Sequence, residues 1–299
     1  MRKCLFIYNP ISGKSRKIIK LLDYIEKKLK SVYDVVDIIP TQYAGHAIDL
    51  ASESCGKYDS LIFAGGDGTF SEVVKGIGEK KNTPILGFIP CGTVSDMANN
   101  YHIPRNIKKA LNVCLEGAKT RIDVCKINDS YFAYVCGLGT YTDATFKTNP
   151  KMKKKYGRMS YFLQGAKDVF KVSNHNVKLT VGKKKYDIDS SLLLVLNSKS
   201  VAGFSSFNYK NKLGDGKFDV IIAKKPHIKT PMNVWKLFAR GAYSLIDDPN
   251  YMMFSTDKVS LEISTDNVTW NLDGDPYTNN KVEIECLKKR LSLFVPEIK

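Results

Sequence analysis

The sequence predicts an α/β N-terminal domain with a parallel, doubly wound sheet, followed by a predominantly antiparallel β-sandwich domain. In the first third, short apolar runs alternate with amphipathic segments, which is the βαβα order of such a sheet. From about residue 121, short β-rich runs separated by polar turns follow one another, as in an antiparallel sandwich. The 299 residues suffice for two domains. We expect them at 1–122 and 123–299, with the C-terminal tail able to pack back on the first.

The elements of the first domain follow from the pattern of apolar residues. Short apolar runs that stop at turn residues indicate buried strands, and apolar residues at helical spacing indicate amphipathic helices. Strands are predicted at 3–8, 32–39, 60–64 and 84–89, and helices at 14–30, 41–54 and 71–77.

The second domain is predicted from β-rich runs interrupted by two helical inserts, at 159–170 and 231–246. The β-rich runs are 121–127, 131–136, 177–181, 186–188, 191–196, 218–223, 258–263, 282–286 and 291–295.

Composition excludes several classes of protein. Apolar residues make up 43% of the chain and charged residues 25%, which argues against a disordered or collagen-like chain. No apolar run is long enough to span a membrane, and the first residues lack a signal-peptide pattern. The seven scattered cysteines contain no CxxC pair and are typical of a reducing compartment. We therefore expect a soluble cytoplasmic protein.

The strongest motif is Gly65-Gly66-Asp67-Gly68-Thr69, between a predicted strand and a predicted helix. Glycines let backbone N–H groups point at an anion, and the helix N-terminus adds the positive end of its dipole. The Asp67 carboxylate would repel a phosphate, so it should hold a metal ion, a water or a donor group. An ordinary Gly-rich turn is the alternative, but the strand–loop–helix context favours anion binding.

Other polar loops follow the remaining predicted strands. Asn9-Pro10-Ile11-Ser12-Gly13 follows the first strand, Thr41 the second, and Pro90-Cys91-Gly92-Thr93 the fourth. Because ligands of open α/β sheets bind outside the carboxyl ends of the strands, these loops together predict a nucleotide or polyphosphate pocket.

With these motifs the chain resembles the bacterial diacylglycerol and lipid kinase family, which is related to sphingosine kinases. The resemblance rests on NPISG at 9–13, GGDGT followed by Glu72, PCGTVSD at 90–96 and LDGDP at 272–276, and it extends over essentially the whole chain. GGDGT alone also occurs in NAD kinases and phosphofructokinases. The resemblance implies an NAD-kinase/diacylglycerol-kinase-like first domain, a second domain for the lipid, and a site in the cleft between them. It also implies transfer of the ATP γ-phosphate to a lipid hydroxyl.

Carried over to this chain, the resemblance implies an ATP site and a magnesium site. The residues of the ATP site would be Asn9, Pro10, Ser12, Gly13, Thr41, Gly65, Gly66, Asp67, Gly68, Thr69, Glu72, Gly92 and Thr93. Asp96 would join Asp67 in an acidic, metal-linked network. The Asp215 carboxylate and the carbonyls of Lys212 and Lys217 would hold a structural Mg²⁺, since oxygen ligands suit this cation. Without the resemblance, a plain Gly-Asp-Gly hairpin turn accounts for that segment equally well.

The resemblance implies catalytic residues at the motif Asp273-Gly274-Asp275. A carboxylate within reach of the lipid hydroxyl can accept its proton during phosphoryl transfer. We expect Asp273 and Asp275 to be the catalytic pair, together with Asp67. The family usually has Asp-Gly-Glu, so Asp275 is one methylene shorter, and Ser95 replaces the usual Asn.

The excess of basic residues, 46 Lys and Arg against 30 Asp and Glu, gives a formal charge of +16. Lys151, Lys153, Lys154, Lys155 and Arg158 form a cluster, and an ordinary solvated surface is one account of it. An anionic phospholipid surface is another. We expect no nucleic acid partner, because no DNA- or RNA-binding motif accompanies the charge.

The sequence thus predicts an ATP- and magnesium-dependent lipid kinase at the inner face of the membrane, with diacylglycerol as acceptor and phosphatidic acid as product. Two alternatives stay open: a kinase of soluble substrates of the NAD-kinase type, and a catalytically weak, membrane-associated nucleotide-binding regulator. The oligomeric state is also open, a homodimer included.

Overall fold

The computed structural model describes residues 1–11, 15–139, 174–201, 204–205, 212–224 and 241–297. The chain divides into two compact units. Unit 1 comprises Met1–Val124 and Lys289–Lys299, and unit 2 comprises Cys125–Lys288. Lys289–Lys299 thus group with unit 1, whereas the sequence analysis placed them at the end of the second domain, with the tail able to pack back on the first.

Unit 1 is an α/β domain in which strands and helices alternate. Its strands are β1 (Lys3–Tyr8), β2 (Val35–Pro40), β3 (Ser60–Gly65) and β4 (Ile85–Pro90). Its helices are α1 (Ser15–Ile19), α2 (Leu22–Lys30), α3 (His46–Ser54), α4 (Asp67–Ile77), α5 (Asp96–Asn100) and α6 (Ile107–Glu116). The strands are parallel in the order β2-β1-β3-β4, which confirms the predicted doubly wound sheet.

The parallel strands of unit 1 end together. Tyr8 is in register with Pro40 and with Ala64, and Gly65 is in register with Pro90. The loops that follow these strands therefore begin along one edge of the sheet.

Three phenylalanine rings hold α4 on the sheet of unit 1. The ring centroids of Phe63 and Phe70 are 5.5 Å apart, and each ring centroid lies 5.2 Å from that of Phe88. All three side chains are fully buried. Because large aromatic side chains contribute much of the burial energy of a core, this cluster fixes the start of α4 relative to β3 and β4.

Several helices of unit 1 differ from the predictions. The predicted helix 14–30 is divided into α1 and α2, and the predicted helix 41–54 begins only at His46. Gly45 has a φ of +89°, a left-handed conformation that glycine adopts readily and that keeps the preceding residues out of the helix. Helix α6 was not predicted, although Asn106 caps it through the backbone N–H of Lys109, a recognisable start signal.

Unit 2 is rich in antiparallel strands, as predicted. Strands β5 (Ala118–Ile127) and β17 (Lys281–Val295) run from one unit into the other along the chain. The strands within unit 2 are β6 (Ser130–Phe132), β7 (Val135–Gly139), β8 (His175–Val181), β9 (Lys184–Leu196), β10 (Ser200–Val201), β11 (Phe204–Ser205), β12 (Phe218–Lys224), β13 (Tyr251–Thr256), β14 (Lys258–Ile263), β15 (Thr269–Leu272) and β16 (Asp275–Thr278). The main order is β16-β15-β7-β9-β8-β14-β17, and β12 pairs with β9 and β13.

Both faces of β12 are buried. Phe218, Val220 and Ile222 belong to one apolar cluster with Trp270, whereas Ile221 packs in a second cluster. A strand covered on both faces explains the continuous apolar run in this part of the sequence. The predicted insert 159–170 lies outside the described residues. Of the insert 231–246, the structure describes a short 3-10 helix at Ala242–Leu245.

Candidate active site

The first residues after β1, β2 and β4 are anchored to the neighbouring strands. Asn9 donates its backbone N–H to the carbonyl of Ala64 at 3.1 Å, and Thr41 donates to Tyr8 at 2.9 Å. Cys91 likewise donates to the carbonyl of Gly65 at 2.7 Å. These bonds continue the sheet ladder by one residue. The predicted site loops therefore start from fixed points along one edge.

Two glycines bring the loops after β3 and β4 into contact. A Cβ atom added to Gly92 would lie 2.8 Å from the Cα atom of Gly66, closer than real Cβ atoms approach other atoms. A Cβ atom added to Gly66 would lie 3.4 Å from the Cα atom of Gly92. Only glycine at position 92 permits this approach of the two backbones. The loops of the GGDGT and PCGT motifs thus form one surface.

The N-terminus of α4 opens onto this surface. Gly66 precedes the helix and provides no side-chain cap for its first N–H groups. The side of Gly68 is open, since an added Cβ atom would meet nothing within 4 Å. Backbone N–H groups and the helix dipole make such a terminus favourable for an anion. Thr69, in the first turn, is buried.

The carboxylate of Asp67 turns toward the neighbouring helix. Its Oδ1 atom accepts the backbone N–H of Met97 at 3.1 Å, in the first turn of α5. The backbone N–H groups of Ser95 and Asp96 also bond to it. Burial raises the pKa of Asp67 above its ordinary value of 3.8, and these backbone bonds oppose the rise. The donor expected beside Asp67 is therefore the N-terminus of α5.

The start of α5 is built on an unusual backbone conformation. Ser95 has φ 57° and ψ 54°, in the left-handed region, and its Oγ atom donates to the carbonyl of Gly92 at 3.3 Å. Arg105 donates to the carbonyl of Val94 and, at 3.3 Å, to Oδ1 of Asn99. Sequence analysis missed Arg105, because its bond to Val94 spans 11 residues and no local pattern marks it.

Glu72 links α4 to the loop after β2. Its Oε1 atom accepts the backbone N–H of Gly45 at 3.3 Å. This contact joins the predicted residue Glu72 to the segment that follows Thr41. Glu72 therefore fixes a loop in this structure.

Asp273, in unit 2, has φ 54° and is a buried residue, 7% exposed. Its Oδ2 atom accepts the backbone N–H of Ala133 at 2.6 Å. Its Oδ1 atom accepts those of Tyr134 at 3.1 Å and Val135 at 2.9 Å. Through these three bonds the Asp273 carboxylate holds the turn between β6 and β7.

Asp275 differs from Asp273 in its surroundings. It is the first residue of β16, pairs with Leu272 in the β15–β16 ladder, and is exposed. Gly274, between the two aspartates, has φ 107°, and its N–H donates to Oδ1 of Asn271 at 2.8 Å. The turn thus directs one carboxylate into the protein and leaves the other at the surface.

The segment of unit 2 predicted to bind magnesium is a closed turn. The Oδ2 atom of Asp215 accepts the backbone N–H of Lys212 at 3.2 Å, and Oδ1 accepts that of Lys217 at 2.9 Å. Each carboxylate oxygen still has a lone pair, and the carbonyls of the turn are hard oxygen donors. This set of donors fits Mg²⁺, which combines few carboxylates with carbonyls and water.

The predicted site residues fall into two groups by unit. Twelve of them belong to unit 1, where they lie at the ends of β1 to β4, in the loops that follow, or in α4 and α5. They are Asn9, Pro10, Thr41, Gly65, Gly66, Asp67, Gly68, Thr69, Glu72, Gly92, Thr93 and Asp96. Those of unit 2 are Lys212, Asp215, Lys217, Asp273 and Asp275. Ser12 and Gly13 lie outside the described residues.

Comparison with known proteins identifies the family of the chain. A family model described as the diacylglycerol kinase catalytic domain matches residues 3–127. Diacylglycerol kinase of Staphylococcus saprophyticus is 31% identical over 296 residues, which cover 99% of this chain and 96% of that protein. Diacylglycerol kinase of Staphylococcus aureus strain MRSA252 is 30% identical over 295 residues, covering 99% and 93%.

Solved structures share the fold. A diacylglycerol kinase structure from Bacillus anthracis has a TM-score of 0.77 at 22% identity and covers 98% of this chain and 97% of its own. Another structure from that organism, provisionally assigned to the same activity, has a TM-score of 0.84 at 24% identity, with coverage of 98% and 95%.

The chain belongs to the diacylglycerol kinase family. It is a lipid kinase, as the sequence predicted. Among the described residues, no helix is both long enough and apolar enough to cross a membrane.

Proposed function

We propose that this lipid kinase transfers the γ-phosphate of ATP to the hydroxyl of diacylglycerol and so forms phosphatidic acid. The observation that carries the proposal is the common edge of β1 to β4, where the glycine loops meet at Gly66 and Gly92. The names of the relatives support diacylglycerol as the acceptor.

The phosphates of ATP bind at the N-terminus of α4 in this proposal. Gly66 gives the first turn no side-chain cap, and the loop at Gly92 lies against Gly66. Asp67 acts as a positioning residue, because its carboxylate holds the first turn of α5 beside the loop. Such preorganised N–H groups stabilise the charge on the transferring phosphoryl group.

Asp275 is the base in this proposal, and Asp273 is the residue that positions it. The lipid hydroxyl oxygen forms the new bond to the γ-phosphorus while the bond to the β-phosphate oxygen breaks and ADP leaves. The Asp275 carboxylate accepts the hydroxyl proton. Its exposure supports this role, whereas backbone N–H groups surround the carboxylate of Asp273.

Magnesium is the second cofactor that we propose. Among the described residues, no group of three or more His, Cys, Asp or Glu side chains could hold a metal. In this proposal a catalytic Mg²⁺ would bind the nucleotide phosphates, with Asp96 as its candidate carboxylate. When bound, it would neutralise phosphate charge. A structural Mg²⁺ would be held by Asp215 and the carbonyls of Lys212 and Lys217.

The proposed partners are the lipid substrate and an anionic phospholipid surface at the inner face of the membrane. The cluster at 151–158 lies outside the described residues. On the described face of β8, β9 and β14, Lys178 stands between Asp187 and Glu262 in register. Lys258 forms an ion pair with Glu283 at 2.6 Å. We propose the cluster at 151–158 as the contact with the anionic surface, since each Lys or Arg near such a surface contributes about 1 kcal/mol.

A transfer assay tests the proposal. Purified protein is incubated with γ-labelled ATP and Mg²⁺, and with diacylglycerol vesicles, other lipids or NAD in parallel. We expect labelled phosphatidic acid from wild type and a loss of about 10²–10⁴-fold with Asp275→Asn, the range for removal of a general base. Transfer to NAD without lipid, or ATP binding without transfer to any acceptor, would contradict the proposal.

A further inference from the structure

Tyr43 carries an exposed aromatic ring held in a fixed orientation. The ring is stacked on the imidazole of His46, with centroids 4.5 Å apart and an interplanar angle of 22°. Its hydroxyl donates to Oδ2 of Asp49 at 2.8 Å. Even so, Tyr43 is 57% exposed. Packing within the fold therefore fixes the ring without burying it.

His46 is itself fixed by the backbone. Its Nδ1 atom accepts the backbone N–H of Gln42 at 3.1 Å, which orients the imidazole ring below Tyr43. The two rings and the Asp49 carboxylate are thus joined within the segment from Gln42 to Asp49. A ring already restricted in this way loses little conformational entropy when a ligand stacks on it.

This pair of rings follows β2 at the edge that the glycine loops share. Thr41 is bonded to the carbonyl of Tyr8, and Gly45 donates to Glu72 on α4. Strand β1 lies between β2 and β3, so the origins of the two loops are about two strand spacings, or roughly 10 Å, apart. The loop after β1 also exposes an apolar side chain, Ile11, at 90%.

We propose that Tyr43, supported by His46, is the stacking platform for the purine base of the donor nucleotide, an inference that rests on the proposed function. A nucleotide with its phosphates at α4 extends its ribose and base away from them. A base is a flat aromatic ligand, and stacking on a protein ring contributes about 1–3 kcal/mol per base. The rigid, exposed ring of Tyr43 lies along the same edge and has the chemistry to receive it.

Binding measurements without lipid separate the contribution of the base to affinity from that of the phosphates. The dissociation constants of ADP and of inorganic tripolyphosphate are measured by calorimetry for the full chain, as wild type and as Tyr43→Ala. We expect the variant to bind ADP about tenfold more weakly, within the range that base stacking gives. Tripolyphosphate should bind both proteins equally, because it has no base.

Two further variants serve as controls. Tyr43→Phe keeps the ring and loses the bond to Asp49, so it should bind ADP within about twofold of wild type. Tyr24→Ala removes a tyrosine from α2, where the ring lies beneath Lys108 at 4.9 Å, and should leave both dissociation constants unchanged. Thermal unfolding of each variant shows whether it is folded.

The outcomes distinguish this inference from the proposed function. If a folded Tyr43→Ala protein binds ADP and tripolyphosphate with equal losses of affinity, or with no loss for either, Tyr43 is not the stacking platform. The proposed nucleotide site would still stand in that case. Failure of wild type to bind ADP would overturn the proposed function, and the platform with it.

Discussion

The carboxylate of Asp67 accepts the backbone N–H of Met97 at 3.1 Å, so one side chain joins the first turns of α4 and α5. The contact connects the GGDGT motif to the motif after β4 although 30 residues separate the two partners. It accounts for an acidic residue inside an otherwise anion-binding loop, because the negative charge is directed at backbone donors of another helix.

The stability contributed by Asp67 should depend on pH. Its folded-state pKa is raised by burial, so the carboxyl is protonated more readily in the folded protein than in the unfolded chain. This contribution is fully present below the ordinary value of 3.8 and is lost as pH rises through the raised pKa. We expect the free energy of unfolding of wild type, minus that of Asp67→Asn, to fall across this window. Urea unfolding at a series of pH values measures it, and a difference that rises with pH would contradict the assignment.

Asp273→Asn and Asp275→Asn should have different effects. In Asp273→Asn, the new amide would present its NH₂ group to one of three backbone donors and leave a buried N–H without an acceptor. We expect a loss of about 1–3 kcal/mol in the free energy of unfolding. Asp275→Asn should change this free energy by less than about 0.5 kcal/mol while transfer falls. Denaturant unfolding beside the transfer assay separates the two, and equal destabilisation would refute the distinction.

Gly92→Ala should disturb the contact between the glycine loops. The new methyl group would lie 2.8 Å from the Cα atom of Gly66, a backbone atom that cannot rotate away. We expect a cost of about 1–3 kcal/mol in stability and weaker binding of ATP. Gly68→Ala is the matched control for stability, since its methyl group meets nothing within 4 Å. Thermal unfolding of both variants checks the difference, and two equal melting temperatures would speak against the close approach.

Ser95→Asn should stabilise unit 1. The φ of 57° at position 95 lies in the left-handed region, which Asn tolerates better than most residues and β-branched residues avoid. We expect a gain of up to about 1 kcal/mol for Asn and a loss of about 1–2 kcal/mol for Ser95→Val. Melting temperatures should follow the order Asn, Ser, Val. The opposite order would show that the bond from Ser95 Oγ to Gly92 dominates.

Binding to anionic vesicles should depend on the cluster at 151–158. Each Lys or Arg near an anionic surface contributes about 1 kcal/mol. We therefore expect the triple variant Lys151→Gln, Lys153→Gln, Lys154→Gln to bind such vesicles at least tenfold more weakly, and wild-type binding to weaken as salt rises. The control neutralises Lys178, Lys258 and Lys281, which face carboxylates in register. Equal binding to neutral vesicles at every salt concentration would contradict this account.

The sequence predicted the elements whose signals are local. Asn9-Pro10 and Gly65-Gly66 end apolar runs, and the structure ends β1 and β3 at Tyr8 and Gly65. The fold class was predicted for the same reason, because the spacing of apolar residues indicates the alternation of strands and helices. Local signals also place the loops of the site at one edge of the sheet.

Contacts between distant residues could not be predicted in this way. Asp273 and Asp275 carry the same side chain two positions apart, yet one is buried under backbone donors and the other is exposed. The difference arises from the turn at Gly274 and from residues 133–135, which lie about 140 positions earlier. Arg105 was missed for a related reason, since its partner is a backbone carbonyl.

The bonds from Asp273 to the backbone of residues 133–135 span 138 to 140 positions. Contacts of such separation form after local ones, because a long loop must close first. During synthesis, the backbone N–H of Ala133 gains its acceptor only after the next 140 residues have been made. A chain terminated shortly before Asp273 would keep the GGDGT loop and lack the motif proposed to accept the lipid proton. Maturation of the acceptor motif therefore requires synthesis through Asp273, long after the residues that it binds have been made.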